Sequence, residues 1–191
     1  MTHKGYLHPN NDRGRAHMQV TQSVSSFQGV ASILDVGCGV GGNLIKLREF
    51  LPKAKLTGVD INATAIASTK EYFATNNDKN VVLKSMDLTK LKDFNDDEFD
   101  VVFTDAVLMF IAPSDIDNVI QDFIRIARQG IVLHEYHQNS LKTDYFDGGR
   151  WVYDYVQLFE KHHPNAKVEI RKSVVNAGSW STYGNLIKIN L

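Results

Sequence analysis

Three short groups of residues in this chain have the types and spacing to do chemistry. The first is Asp35-Val36-Gly37-Cys38-Gly39-Val40-Gly41-Gly42-Asn43, which follows Ile33-Leu34 and reads as a buried strand, a glycine turn and a helix start. Glycine permits so tight a turn because it has no Cβ to clash at positive φ, and the bare backbone lets a ligand lie against it. Gly37, Gly39 and Gly42 also fit the G-x-G-x-x-G spacing of dinucleotide-binding turns, so spacing alone leaves two ligand classes open. Charge separates them. A pyrophosphate seeks uncompensated N–H groups at a helix N-terminus, and Asp35 at the strand end would repel it. A cationic, phosphate-free ligand suits the same corner.

The second group lies at the ends of later strands. Val59-Asp60-Ile61-Asn62 closes a strand from Lys55 to Val59 and sets an acid about 20 residues past the glycines, where a ribose diol finds its acceptor. Ser85-Met86-Asp87-Leu88 closes a third strand, Val81 to Lys84, and Phe99 to Ala106 forms a fourth that delivers Asp105. With Asp35, Gly37, Gly39 and Gly41 followed in order by Asp60, Asp87 and Asp105, the chain resembles class I S-adenosylmethionine-dependent methyltransferases. The resemblance implies S-adenosylmethionine as cofactor, its ammonium and sulfonium matched by Asp35. It implies that Asp60 holds both ribose hydroxyls, that Ile61 covers one adenine face, and that Asp87 accepts from the exocyclic amine while Met86 donates backbone contacts. Asp105 is then aimed at the methyl group, and Cys38 and Asn43 join the cofactor set with the glycine turn.

The third group is His134-Glu135-Tyr136-His137, at the carboxyl end of a fifth strand that starts at Gly130. Ligands gather on that side of an open α/β sheet. Strand alternation puts Glu135 and His137 on one face and His134 and Tyr136 on the other. An imidazole titrates near neutral pH and can take a proton from an oxygen or nitrogen nucleophile, so His134 and His137 are candidate bases, with Asp105 beside them. Each also reads as a hydrogen-bonded residue at a strand end. The pattern is not H-E-x-x-H, and no metal is expected. Candidate substrate contacts are Tyr136, Trp180 in the segment 176–180, and Tyr6 and Arg13 near the N-terminus. Asp105-Ala106-Val107-Leu108 lacks the N/D-P-P-Y pattern of methyltransferases acting on amides or nucleobase amines.

These residues need a scaffold that brings strand ends together. Strands alternate with helical patterns from Ser32 onward, which argues for parallel βαβ units with helices on both faces. Helices are expected over about 42–50, stopping before Pro52, and over about 63–75. Ser114-Asp115-Ile116-Asp117 fits an N-cap and acidic first turn, and Ile116, Val119, Ile120, Phe123, Ile124 and Ala127 follow the helical period. Val152, Tyr155, Val156 and Phe159 mark another helix, and two closing strands are expected over about 167–173 and 184–190. The resemblance implies a three-layer, Rossmann-like α/β fold. Its seven-stranded, mostly parallel sheet has the order 3-2-1-4-5-7-6 and ends in an antiparallel hairpin. Residues 31–191 form that domain, and residues 1–30 form a lid or a docking segment, with Ala16, Val20, Val24 and Phe27 along one helical face.

Bulk properties narrow the partners. The 191 residues carry a formal net charge of −1, with no massed basic stripe, which argues against a nucleic-acid partner. Cys38 is the single cysteine, so no intrachain disulfide forms, and it reads as a small residue in a tight turn. The polar N-terminus and interrupted apolar runs give neither a signal peptide nor a membrane span. The expectation is a cytoplasmic monomer or homodimer that acts on a small-molecule substrate. Its reaction is in-line displacement at the methyl by an oxygen, nitrogen or carbon nucleophile, which mainly requires positioning in a dry site. Three alternatives stand beside it: an NAD(P)-dependent oxidoreductase using the same turn, a protein or RNA methyltransferase, and a noncatalytic cofactor sensor.

Overall fold

Alternating apolar residues on each strand divide the interior in two, and that division sets which side chains can meet at the strand tips. A computed structural model describes residues 11–140 and 145–191. Tyr6 lies outside the described residues. The strands are β1 (Ser32–Val36), β2 (Lys55–Asp60), β3 (Val81–Ser85), β4 (Phe99–Asp105), β5 (Ala127–Tyr136), β6 (Tyr145–Asp147), β7 (Arg150–Val152), β8 (Lys167–Lys172) and β9 (Gly184–Asn190). The helices are α1 (Asp12–Ser25), α2 (Gly42–Phe50), α3 (Ala63–Thr75), α4 (Pro113–Ile126), α5 (Tyr155–His162) and α6 (Ser179–Tyr183).

Seven strands form one sheet in the order β3-β2-β1-β4-β5-β9-β8. Numbered within that sheet alone, the order is 3-2-1-4-5-7-6, as the sequence led us to expect. β1 to β5 pair in parallel, and β9 runs antiparallel to both β5 and β8. Ile33, Val101, Phe103, Val132 and Leu186 face α1, α2 and α3, while Leu34, Val36, Val102, Ile131, Leu133 and Ile187 face α4 and α5. The period of two then places Asp105 and His134 on the α1 side and Glu135 on the α4 side.

Local chemistry explains the boundaries. Asn62 caps α3 by accepting from the amides of Thr64 and Ala65. α4 starts earlier than the expected Ser114 cap: Ala112 is the cap residue, without a side-chain bond, and Pro113 opens the helix, where its missing N–H costs nothing. β5 begins directly after α4 and is ten residues long, longer than expected. Val152 belongs to β7, not to a helix, and Trp180 sits in the short helix α6. The β6–β7 hairpin had no signal in the sequence reading.

The N-terminal helix docks on the sheet. Ala16, Val20 and Val24 are buried, and Gln19 ties the helix to the end of β8, donating to the Lys172 carbonyl and accepting from the Val174 amide. Its first turns bring Arg13 and His17 up to the strand tips.

Candidate active site

The glycine turn is shaped by what it must avoid. Gly37, Gly39 and Gly41 all take positive φ, at 77°, 50° and 76°. A Cβ on Gly37 would lie 2.3 Å from a Val107 methyl, whereas one on Gly39 would meet nothing within 4 Å. Gly37 therefore lets the turn pack against the tip of β4, and Gly39 presents bare backbone. The Gly39 amide donates to Asp60 Oδ2 at 2.7 Å, and the Asn62 amide donates to Oδ1 at 2.8 Å. Two amides thus fix the Asp60 carboxylate and leave each oxygen a further lone pair for a diol.

Asp35 behaves differently. It is 1% exposed, and neither of its carboxylate oxygens has a hydrogen-bond partner among the described residues. Burial, with the nearby Asp105 and Asp60 charges, pushes its carboxyl well above the usual range. A buried carboxylate without a donor is costly, and a cation is the ligand that removes the cost.

Beside these acids runs a cleft of about 820 Å³ on the carboxyl side of the strands, lined by Gly37, Asp60, Ile61, Met86, Asp87 and Phe110 among others. Ile61 and Phe110 are 73% and 63% exposed, the two most exposed large hydrophobics described, and both lie on this cleft. Apolar faces held open around carboxylates fit a flat base with a ribose. Asp87 is exposed and accepts from the Thr89 amide at 2.8 Å, a bond that holds its carboxyl below the usual range.

Two expected cofactor contacts change character. The Met86 amide donates to the Asp60 carbonyl at 3.0 Å, so the strand ladder uses the donor expected for adenine, and Met86 lines the cleft instead. Cys38 turns its sulfur into the core, where a Cβ on Gly58 would lie 2.9 Å from it. It is 7% exposed, and burial raises its thiol pKa, so it serves packing.

The polar centre sits at the tips of β4 and β5, which pair Asp105 with His134 in register. His134 Nδ1 lies 2.6 Å from Asp105 Oδ1, and Asn43 Nδ2 donates to Asp105 Oδ2 at 3.0 Å. Burial would raise the Asp105 carboxyl, but the His134 ring and Asn43 outweigh it and hold the group below its ordinary value. An ionised Asp105 can only accept, so Nδ1 carries the proton. Nε2 lies 2.7 Å from the Ser173 hydroxyl, and Trp180 stacks on the ring at 4.6 Å. From α1, His17 Nε2 stands 4.0 Å from Asp105 Oδ2; its burial lowers its pKa.

The three candidate bases differ in their surroundings. His134 is 1% exposed with both ring nitrogens engaged, whereas the Asp105 side chain keeps 15% exposure. Asp105 is thus the more exposed member of the pair, and His134 holds its carboxylate. His137 lies on the other face, where Nε2 meets Asn139 Oδ1 at 2.7 Å and Nδ1 accepts from the Tyr155 amide at 3.2 Å, also 3.1 Å from the Tyr153 carbonyl. It ties the end of β5 to the Tyr153–Tyr155 segment. Glu135, also buried, accepts from the amides of Val107 and Met109 and so shapes the turn after β4. In that turn Ala106 holds φ 60° beside the cleft, a conformation that costs a residue with a Cβ.

Tyr136 is wholly buried and packs edge-on against Trp180 at 5.0 Å, so two of the expected substrate residues meet. Arg13 is exposed in the first turn of α1, and its charge reaches His17. Sequence reasoning missed Ser173, Ala106 and Phe110; of these, only Ser173 had a signal, as the residue just past β8.

Comparison with known proteins fits this geometry. The methyltransferase domain family matches residues 33–130, just over half of the chain. The chain belongs to the class I S-adenosylmethionine-dependent methyltransferases. Its cofactor is S-adenosylmethionine. An uncharacterised protein of Rickettsia prowazekii is 34% identical to this methyltransferase over 91 residues, 48% of this chain and 36% of that protein. The chain spans less than two fifths of the length of each curated relative it matches. An O-methyltransferase of a Brevibacillus brevis trans-AT polyketide synthase, solved with S-adenosylhomocysteine, superposes with a TM-score of 0.73 at 17% identity, covering 93% of this chain and 72% of that one. The Burkholderia thailandensis 1,6-didemethyltoxoflavin N1-methyltransferase, solved with that compound and S-adenosylhomocysteine, gives 0.72 at 12% identity, covering 92% and 77%. Among the described residues no helix of the methyltransferase is long and apolar enough to cross a membrane.

Proposed function

We propose that this enzyme transfers the methyl group to an oxygen, nitrogen or carbon atom of a small molecule. The observation that carries the reading is the junction at Asp105-Ala106. Ala106 lines the cofactor cleft and also packs with Met109, Tyr136, Val152, Trp180 and Tyr183 in one apolar cluster. Ala106 thus joins the cleft to an aromatic cluster, and apolar surroundings of this kind suit a small acceptor. The small molecule held by the Burkholderia relative supports the same class.

Bound in the cleft, S-adenosylmethionine supplies an electrophilic methyl on a positively charged sulfur, with a neutral thioether as leaving group. The chain's own residues do the rest. Asp35 offers its buried negative charge to the cation, Asp60 accepts from the ribose hydroxyls, and Ile61 and Phe110 cover apolar faces. Asp105, ionised, accepts from the acceptor's O–H or N–H and turns a lone pair toward the methyl. Its low pKa makes it a weak base. That suffices, because an oxygen or nitrogen that has gained a methyl becomes strongly acidic and gives its proton to Asp105 late. His134 and Asn43 hold Asp105 in place throughout, and Ser173 holds His134.

The test is to incubate the enzyme with methyl-labelled S-adenosylmethionine and a cell extract split by ultrafiltration. Label in the small-molecule fraction is the expected result. Label confined to protein or RNA would contradict the proposal.

A further inference from the structure

We infer that the methyl acceptor carries an oxyanion, such as a carboxylate or phosphate, and that the Arg150 guanidinium and the Tyr136 hydroxyl bind it. The inference rests on the small-molecule reading above and names the substrate's chemistry. Tyr136 is 0% exposed, yet its hydroxyl has no hydrogen-bond partner among the described residues. Buried tyrosine hydroxyls ordinarily find one, and leaving a polar group unpaired costs stability. Around its ring the site is otherwise complete: Trp180 stands edge-on at 5.0 Å and Tyr183 at 6.0 Å.

The remaining face of that ring is covered by Arg150, whose guanidinium carbon lies 5.3 Å from the centroid. Arg150 is part-buried and opens β7 just after Gly148 and Gly149, whose φ angles of 53° and 91° make the tight hairpin turn. It forms no ion pair with a carboxylate of the described residues. A guanidinium resting on an aromatic face keeps its in-plane N–H donors for another partner.

One ring thus carries an unpartnered hydroxyl and lies under a guanidinium. An oxyanion satisfies both, and its bond to arginine can be bidentate. A cationic acceptor would meet Arg150 as a like charge, and an uncharged one would leave the guanidinium unpaired. The place is right for a substrate. Tyr136 follows His134 by two residues on the same face of β5, and Trp180 touches both rings, at 4.6 Å and 5.0 Å. An acceptor anchored at Arg150 thus has Asp105 within the span of a small molecule. Arg150 is the outermost layer, and its flexible side chain can swing to admit a ligand.

The experiment uses the full chain saturated with S-adenosylhomocysteine, with three probes of similar shape: 4-hydroxybenzoate, 4-hydroxybenzamide and tyramine. Tryptophan fluorescence reads their binding. The carboxylate is expected to bind at least about tenfold more tightly than the amide, the size of one charge-assisted hydrogen bond. Arg150→Gln should erase that preference. Tyr136→Phe should weaken the carboxylate several-fold and, without any ligand, raise the Tm by about 2–4 °C, because it removes an unpaired buried hydroxyl.

Undetectable carboxylate binding, equal or tighter binding of the amide or of tyramine, or a preference that survives Arg150→Gln would overturn the inference. So would a lowered Tm in Tyr136→Phe, which would show that the hydroxyl already has a partner. Calorimetric titration with S-adenosylhomocysteine keeps the two readings apart. If that titration fails while the carboxylate preference stands, the cofactor assignment falls and the oxyanion site remains.

Discussion

The two halves of the strand-tip face are built on opposite plans. At β1 to β4 several groups lack partners among the described residues: Asp35 is buried without a donor, a Cβ on Gly39 would meet nothing within 4 Å, and Ile61 stands out from the surface. At β5, by contrast, His134, Glu135 and His137 are buried and hydrogen-bonded. The first half is the cradle proposed to take the cofactor. The second is a locked scaffold that holds one carboxylate, Asp105, at the boundary. A methyl transferase needs both, because the electrophile arrives with its cofactor while the line of attack must be set by the protein.

Breaking the cradle should produce the largest effect. Asp60→Ala removes the proposed acceptor of two ribose hydroxyls, and calorimetry should show S-adenosylhomocysteine binding weakened by about a hundredfold or more. Trp180→Ala, in the scaffold half, should leave that affinity within about threefold of wild type. Equal losses in the two variants would erase the distinction between the halves.

The scaffold should answer to pH. Burial drives the Glu135 carboxyl from 4.5 up to about 7, against the pull of the Val107 amide. Its folded pKa lies above its unfolded one, so the folded state binds a proton within that window. Stability from this group is complete below pH 4.5 and is lost as pH rises through about 7, by at most about 3 kcal/mol. Denaturant unfolding at several pH values should show this slope in wild type and not in Glu135→Gln. Parallel slopes would mean that Glu135 is not held in this way.

A smaller effect belongs to the pair that spans the boundary. His134→Gln removes the ring that holds the Asp105 carboxyl low. It should lower kcat by about ten- to a hundredfold, leave cofactor affinity nearly unchanged, and move the acid limb of the rate profile to higher pH. A pure loss of stability would not shift that limb. Smallest of all, Ala106→Gly relieves the φ of 60° and should raise the unfolding free energy by about 1 kcal/mol or less.

The same contrast decides what the sequence discloses. Asp35, the glycines, Asp60 and Asp105 sit at strand ends, where a parallel sheet must gather them, so local pattern reveals their meeting point. The scaffold half depends on chain-distant contacts: His134 with Ser173 across 39 residues, and Glu135 with Val107 across 28. No local pattern says that His134 is enclosed by Trp180 while Asp105 stays reachable. Alternation did place His134 and Tyr136 on one face and His137 on the other, and their chemistry then followed from partners only the fold supplies. The β6–β7 hairpin escaped because its strands are three residues each and carry no period.

Asp35, buried and without a donor among the described residues, is the group proposed to receive the cation. Calorimetric titration of wild type and Asp35→Asn with S-adenosylmethionine across a pH series tests this role most directly. In wild type, affinity should rise with pH as the elevated Asp35 carboxyl ionises, because binding favours the charged form and releases its proton. Asp35→Asn should bind at least about tenfold more weakly and lack that rise. An affinity that ignores pH in wild type, or that is unchanged by the asparagine, would contradict the account.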